Sequence, residues 1–120
     1  MDIEFIVQMR QMQTAPTTPE VLQTGTLDSL DALAAANHLS EEDRRYFAES
    51  YRFLRRVEAG LRLMNTSARH DLPEDALESE KLAYLLRCKN AAEVNERCHY
   101  FVKENRLRFD RICKAAAIDN

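Results

Sequence analysis

Glycine and proline are scarce in this chain, which has two glycines and three prolines among its 120 residues. β-Hairpins need turn residues of these types at regular intervals, so a protein built mainly of hairpins is disfavoured. The glycines, Gly25 and Gly60, stand apart, and neither lies in a glycine-rich loop that could cradle phosphate groups. The composition therefore favours helices over sheets and offers a nucleotide no recognisable phosphate-binding loop.

Long apolar runs are missing as well. No stretch approaches the roughly 18 apolar residues needed to cross a bilayer, and the first residues lack the basic region and cleavage site of a signal peptide. We therefore expect no membrane partner. The net charge of -3 is mixed in sign along the chain, so no basic patch predicts a nucleic-acid partner either.

Cysteine is present only as Cys88, Cys98 and Cys113, an odd number without CxxC spacing. All three fall in segments with a helical pattern. This pattern predicts free thiols in a reducing compartment rather than a disulfide or a zinc site, and it favours a cytoplasmic location.

Apolar residues recur at helical spacing through most of the chain. The clearest stripe has steps of three or four residues and consists of Phe47, Tyr51, Leu54, Val57, Leu61 and Met64. It predicts a long helix from Glu41 to Met64, and a second long helix follows Asn90 with Val94, Phe101 and Phe109 on its stripe. The sequence thus predicts an all-α fold, an up-and-down bundle of about five helices with two long helices, in one domain over residues 1–120.

Capping signals divide the first half of the chain. Thr18 is predicted to cap a short helix that starts at Pro19 and ends at Gly25, and Thr26 is predicted to cap the next helix, which breaks at Asn37-His38. Ser40, followed by three acidic residues, predicts the start of the first long helix.

The second half has its own boundaries. A loop is predicted over residues 65–74, and the short helix after it has an apolar face of Leu77, Leu82, Leu85 and Leu86 and is predicted to end near Cys88-Asn90. Asn90 with Glu93 predicts the start of the second long helix. Asn105 interrupts the stripe of that helix, and it is either buried against a polar partner or placed at a solvated edge.

Acidic and nucleophilic residues form no recognisable catalytic motif. Asp2 and Glu4 flank a single residue, but on a helix they point about 200° apart and cannot share a metal ion. Cys98 and His99 are adjacent and diverge by about 100° on a helix, which makes a poor nucleophile–base pair. We therefore predict no catalytic, cofactor-binding or metal-binding residue in this chain.

The first long helix is rich in arginine. Arg52 and Arg56 lie one helical turn apart, so this side of the helix could hold an acidic partner, a phosphate, or the helix's own glutamates. A solvated face with intrahelical pairs to Glu49 and Glu58 is the alternative. The predicted contact face, for a neighbouring domain or a partner, consists of Arg52, Arg55, Arg56 and Glu58.

The first helical run begins almost at the first residue, without a capping residue in front of it. This pattern is typical of the continuation of a longer protein, so we expect the chain to be a fragment. Phe5, Met9 and Met12 should then form an exposed apolar patch, or be covered by self-association.

Four segments of the chain resemble a known family. The segments are Asp2–Gln8 (DIEFIVQ), Leu39–Asp43 (LSEED) followed by Ser50–Glu58 (SYRFLRRVE), and Leu72–Asp75 (LPED). They are similar to the helical domain that follows the nucleotidyltransferase domain in glutamine synthetase adenylyltransferases, whose motifs read D-I-E-F-I-V-Q, L-S-x-x-D-A, A-Y-x-F-L-R-R-L-E-x-x-L-Q and L-P-x-D. Order and spacing agree, while Ala59-Gly60 and Arg62 depart from the pattern.

The resemblance implies a noncatalytic helical part of an enzyme that attaches AMP to glutamine synthetase and removes it again in nitrogen assimilation. ATP, magnesium and the catalytic carboxylates would belong to the nucleotidyltransferase domain of the parent protein, which would be the main partner, with glutamine synthetase and PII as further partners. One alternative is the corresponding segment of a PII uridylyltransferase, although the motif spelling fits the adenylyltransferase better. The other is an independent helical adaptor that binds a protein through its apolar stripe or its arginines.

Overall fold

The computed structural model of the chain describes residues 3–64 and 76–118, with side chains as far as Ile112. Asp2, the predicted loop over residues 65–74, the Leu72–Asp75 motif and the Cys113 side chain lie outside the described residues. The elements are α1 (Ile3–Thr14), a short 3-10 helix (Pro19–Val21), α2 (Thr26–Ala35), α3 (Glu41–Leu63), α4 (Ala76–Leu85) and α5 (Ala91–Ile118).

The predicted fold class is confirmed. The described residues form five α-helices and no strand, and the two long helices, α3 with 23 residues and α5 with 28, are those expected from the sequence. The fold is therefore an all-α helical bundle. No described helix is both long and apolar enough to cross a membrane.

The chain divides into two compact units. Unit 1 contains Met1–Tyr51 together with Val102–Asn120, and unit 2 contains Arg52–Phe101. In unit 1 the largest fully buried side chains include Ile3, Leu30, Leu33 and Phe47. In unit 2 the core includes Phe53, Val57, Leu61, Leu82, Leu86, Val94 and Phe101. The prediction of a single domain over residues 1–120 stays a prediction.

The start of α2 differs from the sequence prediction. The 3-10 helix ends at Val21 rather than Gly25, Gly25 is the N-cap of α2, and Thr26 is its first residue. The Thr18 hydroxyl caps no helix, because it is hydrogen-bonded to Nε2 of His38 at 2.8 Å. At Thr18 the local capping preference of the side chain yielded to a tertiary contact with a residue 20 positions away.

The caps of the two long helices are confirmed. The Ser40 hydroxyl accepts a hydrogen bond from the backbone N–H of Asp43 at 3.1 Å, at the start of α3. At the start of α5, Asn90 Oδ1 accepts from the N–H of Glu93, and Glu93 Oε2 accepts from the N–H of Lys89, both at 2.9 Å. These bonds satisfy backbone donors that have no partner within a helix.

The buried stripe of α3 is rotated relative to the prediction. Phe47, Val57 and Leu61 are buried as expected, but Phe53 is buried where Tyr51 and Leu54 were predicted, and those two are only half-buried. The Phe53 ring packs on that of Phe101, with centroids 5.4 Å apart. Helical periodicity does not determine which of several adjacent apolar residues is buried, because this depends on where the packing partner lies.

Gly60 brings α4 close to α3. A Cβ at this position would lie 2.8 Å from Cδ1 of Leu82, so any larger residue would force the Leu82 side chain or the helices to move. Leu82 and Leu86 are buried, as predicted, whereas Leu77 and Leu85 are exposed by 64% and 41%. Leu77 lies about 140° around the helix from Leu82, which explains why it cannot share the face against α3.

Two helices end in the same hydrogen-bond pattern. After α2, the N–H of His38 donates to the carbonyl of Leu33 and that of Asn37 to Ala34, and after α4 the N–H of Cys88 donates to Ala83 and that of Arg87 to Tyr84. This is the Schellman motif, which places one residue in the left-handed region. Asn37 (φ 63°) and Arg87 (φ 58°) occupy those positions, and Cys88 therefore lies beyond α4 rather than in it.

We expect Arg87→Gly to raise the free energy of unfolding by about 0.5–1 kcal/mol, measured by urea denaturation. A left-handed conformation costs a non-glycine residue roughly 1–2 kcal/mol, and the added freedom of glycine in the unfolded chain offsets about half of that. Asn37→Gly is the matched control and should change stability less, because asparagine tolerates this conformation. Equal gains at both positions, or a loss at Arg87, would contradict the explanation.

Candidate functional site

A buried carboxylate links α3 and α5 within unit 1. The Asp43 side chain is only 4% exposed and accepts hydrogen bonds from Arg108 Nη1 at 2.7 Å and from Arg111 Nη2 at 2.7 and 2.9 Å. Arg108 also donates from Nε to Glu104 at 2.8 Å, and its guanidinium lies 4.1 Å from the centre of the Tyr46 ring. Burial disfavours the charge of Arg108, but the hydrogen bonds to Glu104 and Asp43 leave its pKa raised.

Asn105 continues this polar contact one turn along α5. It is fully buried, and its Oδ1 accepts from the Tyr46 hydroxyl at 2.6 Å and from the Ser50 hydroxyl at 3.1 Å. The buried alternative of the sequence prediction is therefore correct. Its Nδ2 has no hydrogen-bond partner in the described part of the chain. We refer to Asp43, Tyr46, Ser50, Asn105, Arg108 and Arg111 together as the polar seam.

Sequence reasoning found Asn105 but missed the rest of the polar seam. Asp43 was interpreted as part of an acidic helix start, where negative charge is favourable. The signal that could have identified it is the spacing of Asp43, Tyr46 and Ser50, which places three polar groups on the buried side of an amphipathic helix. The seam fixes the side chains in ion pairs and hydrogen bonds, and this arrangement suits positioning of helices rather than catalysis.

The predicted contact face divides into residues with different roles. Arg56 donates from Nη2 to the backbone carbonyl of Leu86 at 2.8 Å, and so satisfies an acceptor at the end of α4. Arg55 pairs with Glu58 at 3.1 Å, three positions along the helix. Arg52 has no hydrogen bond or ion pair to another described side chain, and it is exposed. The structure thus places these residues on one helix, where Arg56 is bonded to the end of α4 and Arg52 has no such contact in the described chain.

The connection between α4 and α5 in unit 2 also contains charged side chains with local partners. Glu80 Oε1 accepts from the N–H of Ala91 at 3.2 Å, and Glu93 and Asn90 complete the start of α5. Arg97 stacks on Phe53, with its guanidinium carbon 4.1 Å from the ring centre.

Glu41, at the start of α3, is held by hydrogen bonds from Arg44, which lower its pKa to about 2. Each of these charged groups has a local partner.

The predicted exposure of the first helix agrees with the structure. Phe5 is 46% exposed and its ring contacts that of Phe109 with centroids 5.8 Å apart, Met12 is 71% exposed, and Met9 is half-buried. Ile3, Ile6 and Val7 on the opposite side are buried. α1 therefore has one apolar side in the core of unit 1 and a second apolar strip on the surface.

The histidine, cysteine and carboxylate side chains of the described ranges 3–64 and 76–112 nowhere form a group of three that could hold a metal ion. Cys88 and Cys98 are free thiols. Burial, with a smaller contribution from Cys88, raises the pKa of Cys98 to about 11. A thiol with this pKa is protonated at neutral pH and a weak nucleophile.

We expect Asp43→Asn to lower the free energy of unfolding by about 2–3 kcal/mol. The change keeps the size of the side chain but removes the charge that Arg108 and Arg111 share, and breaking a buried pair is costly. Glu42→Gln is the matched control, because Glu42 is 85% exposed and 3.8 Å from Arg108. It should change stability by no more than about 0.5 kcal/mol. Equal effects of the two variants in urea denaturation would show that the polar seam is not stabilising.

We expect Cys98 to react slowly with iodoacetamide in the folded chain. In a variant with Cys88→Ser and Cys113→Ser, the alkylation rate at pH 8 should be at least about tenfold lower than in the urea-unfolded chain, because only the thiolate reacts and burial of Cys98 still raises its pKa. Mass spectrometry of timed samples gives both rates. Similar rates in the two states would contradict a raised pKa.

Comparisons with known proteins agree with the motifs. The family model described as GlnD PII-uridylyltransferase matches residues 1–116. A bifunctional glutamine synthetase adenylyltransferase/adenylyl-removing enzyme of Caulobacter vibrioides is 32% identical over 111 residues, which cover 92% of this chain and 11% of that protein. A protein of the same name from Stenotrophomonas maltophilia strain K279a is 38% identical over 82 residues, 68% of this chain and 9% of its own length.

These relatives are much longer than the chain, which spans about a tenth of the length of the curated relatives it matches. No solved structure matches it. The family model covers nearly the whole chain, including the polar seam and the predicted contact face. The chain therefore belongs to the GlnD PII-uridylyltransferase family and is similar to bifunctional glutamine synthetase adenylyltransferase/adenylyl-removing enzymes.

Proposed function

We propose that the chain is a noncatalytic helical segment of a glutamine synthetase adenylyltransferase, which supports AMP transfer to glutamine synthetase and its removal in nitrogen assimilation. The observation that carries the proposal is the 32% identity to the Caulobacter enzyme over 92% of this chain. The matched segment makes up 11% of that enzyme. The segment is accordingly one helical part of a larger catalyst.

The geometry supports a positioning role. Phosphoryl and nucleotidyl transfer need carboxylates that are free to hold metal ions near the transferring phosphate. In this chain Asp43 is fully engaged by Arg108 and Arg111, and the described histidine, cysteine and carboxylate side chains form no group of three that could hold a metal ion. In our proposal ATP and magnesium bind to the nucleotidyltransferase domain of the parent protein, and this segment holds that domain or its substrate in place.

The partners follow from this assignment. The nucleotidyltransferase domain of the parent protein is the direct partner, and glutamine synthetase and PII meet the longer protein in the cytoplasm. The exposed strip of Phe5, Met9 and Met12 on α1 is the apolar surface that the parent protein would cover. In an isolated chain the same strip favours self-association.

The second candidate function is the corresponding segment of a PII uridylyltransferase. The description of the matching family model favours it, since that model is named for PII uridylyltransferase. The curated relatives quoted above favour the adenylyltransferase. The two candidates differ in the nucleotide and in the acceptor protein, so a single pair of assays separates them.

We expect the isolated chain to transfer no AMP to glutamine synthetase in the presence of ATP and magnesium, measured by mass spectrometry of the acceptor. A chimera in which this chain replaces the matching 111 residues of the Caulobacter enzyme should retain transfer within about tenfold of the parent rate, because the catalytic domain is intact and the segment keeps its fold.

Two controls accompany the chimera. The same chimera with Asp43→Asn tests whether the polar seam supports activity, and deletion of the segment should abolish transfer. UTP with PII is assayed in parallel, and transfer of UMP by the chimera would favour the second candidate. Clear turnover by the isolated chain, or an active deletion variant, would show that the proposed supporting role is wrong.

A further inference from the structure

The outer side of α3 in unit 2 has a row of three arginines with an alanine between the second and the third. Arg52, Arg55, Ala59 and Arg62 follow one another at steps of three, four and three residues, so they share one side of the helix, and Leu63 lies beside them. All five are exposed, and Leu63 is 75% exposed. We refer to these five residues as the arginine ridge. From Arg52 to Arg62 it extends about 15 Å.

Two of the three ridge arginines differ from most other described arginines, because their side chains form no hydrogen bond or ion pair within the described part of the chain. These two are Arg52 and Arg62, and Arg87 is the other described arginine of which this holds. The remaining described arginines each contact a carboxylate, a carbonyl or an aromatic ring: Arg10, Arg44, Arg45, Arg55, Arg56, Arg97, Arg106, Arg108 and Arg111.

Like charges three or four residues apart weaken a helix. Arg52 has Arg55 and Arg56 at these distances, and Arg56 is already bonded to the Leu86 carbonyl. Glu58, at the margin of the ridge, is bonded to Arg55. Glu58 thus compensates Arg55, whereas Arg52 and Arg62 have no ion pair within the described residues, so both are available to negative charge from another molecule.

The shape of the ridge restricts the partner further. Ala59 is a small residue in the middle of the row, so another backbone can approach closely there, and Leu63 offers an apolar contact at one end. A nucleic acid backbone would make no favourable contact with an exposed leucine, and the net charge of -3 disfavours binding of a polyanion. A protein helix with carboxylates at steps of three and four residues and one apolar side chain fits both features.

We infer that the arginine ridge is a docking surface for an acidic amphipathic helix of a partner protein. Arg52 and Arg62 bind carboxylates of the partner, Arg55 stays paired with Glu58, and Ala59 and Leu63 contact the partner's apolar side chain. The inference rests on the ridge alone and not on the activity proposed above, so the binding measurement below tests it separately. It also removes Arg56 from the predicted contact face, because that side chain is used within the chain.

The test uses two fluorescent synthetic peptides of the same composition and the full chain at about 150 mM salt, where loose charge attraction is screened. In the first peptide glutamates follow the three-four spacing around one leucine, and in the second the order is scrambled. Fluorescence anisotropy gives the dissociation constants. We expect the patterned helix to bind at least about tenfold more tightly than the scrambled one, because only its carboxylates match the row.

Variants with equal charge change identify the surface. Arg52→Glu with Arg62→Glu should weaken binding of the patterned peptide at least about tenfold, since two direct contacts become repulsive. Arg45→Glu with Arg106→Glu is the matched control, because both arginines are exposed, by 76% and 64%, and lie off the ridge. It should change the dissociation constant less than about twofold. Circular dichroism checks that both variants fold.

Three results would overturn the inference. They are equal losses in the two double variants, equal binding of the patterned and scrambled peptides, and binding of double-stranded DNA that depends on Arg52 and Arg62. If the charge reversals unfold the chain, Arg52→Gln with Arg62→Gln replaces them. NMR shift changes of Ala59 and Leu63 on adding the patterned peptide to the wild-type chain give an independent readout, and unchanged signals would contradict docking on the ridge.

Discussion

The buried carboxylate of Asp43 is the constraint on which much of unit 1 depends. A carboxylate that loses its water must recover the lost interactions from the protein, and Asp43 recovers them from Arg108 and Arg111. Asn105 accepts from Tyr46 and Ser50 one turn further along. The pairing of early α3 residues with late α5 residues sets these two segments antiparallel and in one register. An apolar seam would tolerate sliding by a turn, whereas these hydrogen bonds would not survive it.

Periodicity was enough to predict the helices but not the direction of each helix face. The Ser40 and Asn90 caps were predictable because the capping side chain and the backbone donor lie within three residues of each other. Thr18 could not be predicted in this way, since its hydroxyl is bonded to His38 from another segment. Phe53 was missed for the same kind of reason. Its ring packs on Phe101, and only the fold brings that partner to its side of α3.

The predicted contact face on α3 shows the same limit of sequence patterns, which do not indicate the tertiary neighbours of a side chain. Arg52 and Arg56 are one turn apart and equivalent in any sequence pattern. The fold separates them, because the end of α4 approaches α3 where Gly60 permits close packing and presents the Leu86 carbonyl to Arg56. Arg52 meets no such acceptor in the described chain. A sequence predicts how many charges a helix has, while tertiary neighbours decide which of them remain available to a partner.

The residues that carry the family resemblance are largely those that hold the helices together. Ser40 caps α3, Asp43 anchors the polar seam, Phe53 lies in the core of unit 2 and Arg56 binds the end of α4. Sequence similarity at such residues indicates a shared fold, because each of them makes a structural contact and none contacts a reacting group. The similarity to the relatives therefore supports a shared fold of this segment. Catalytic chemistry, by contrast, has to be argued from residues outside these motifs.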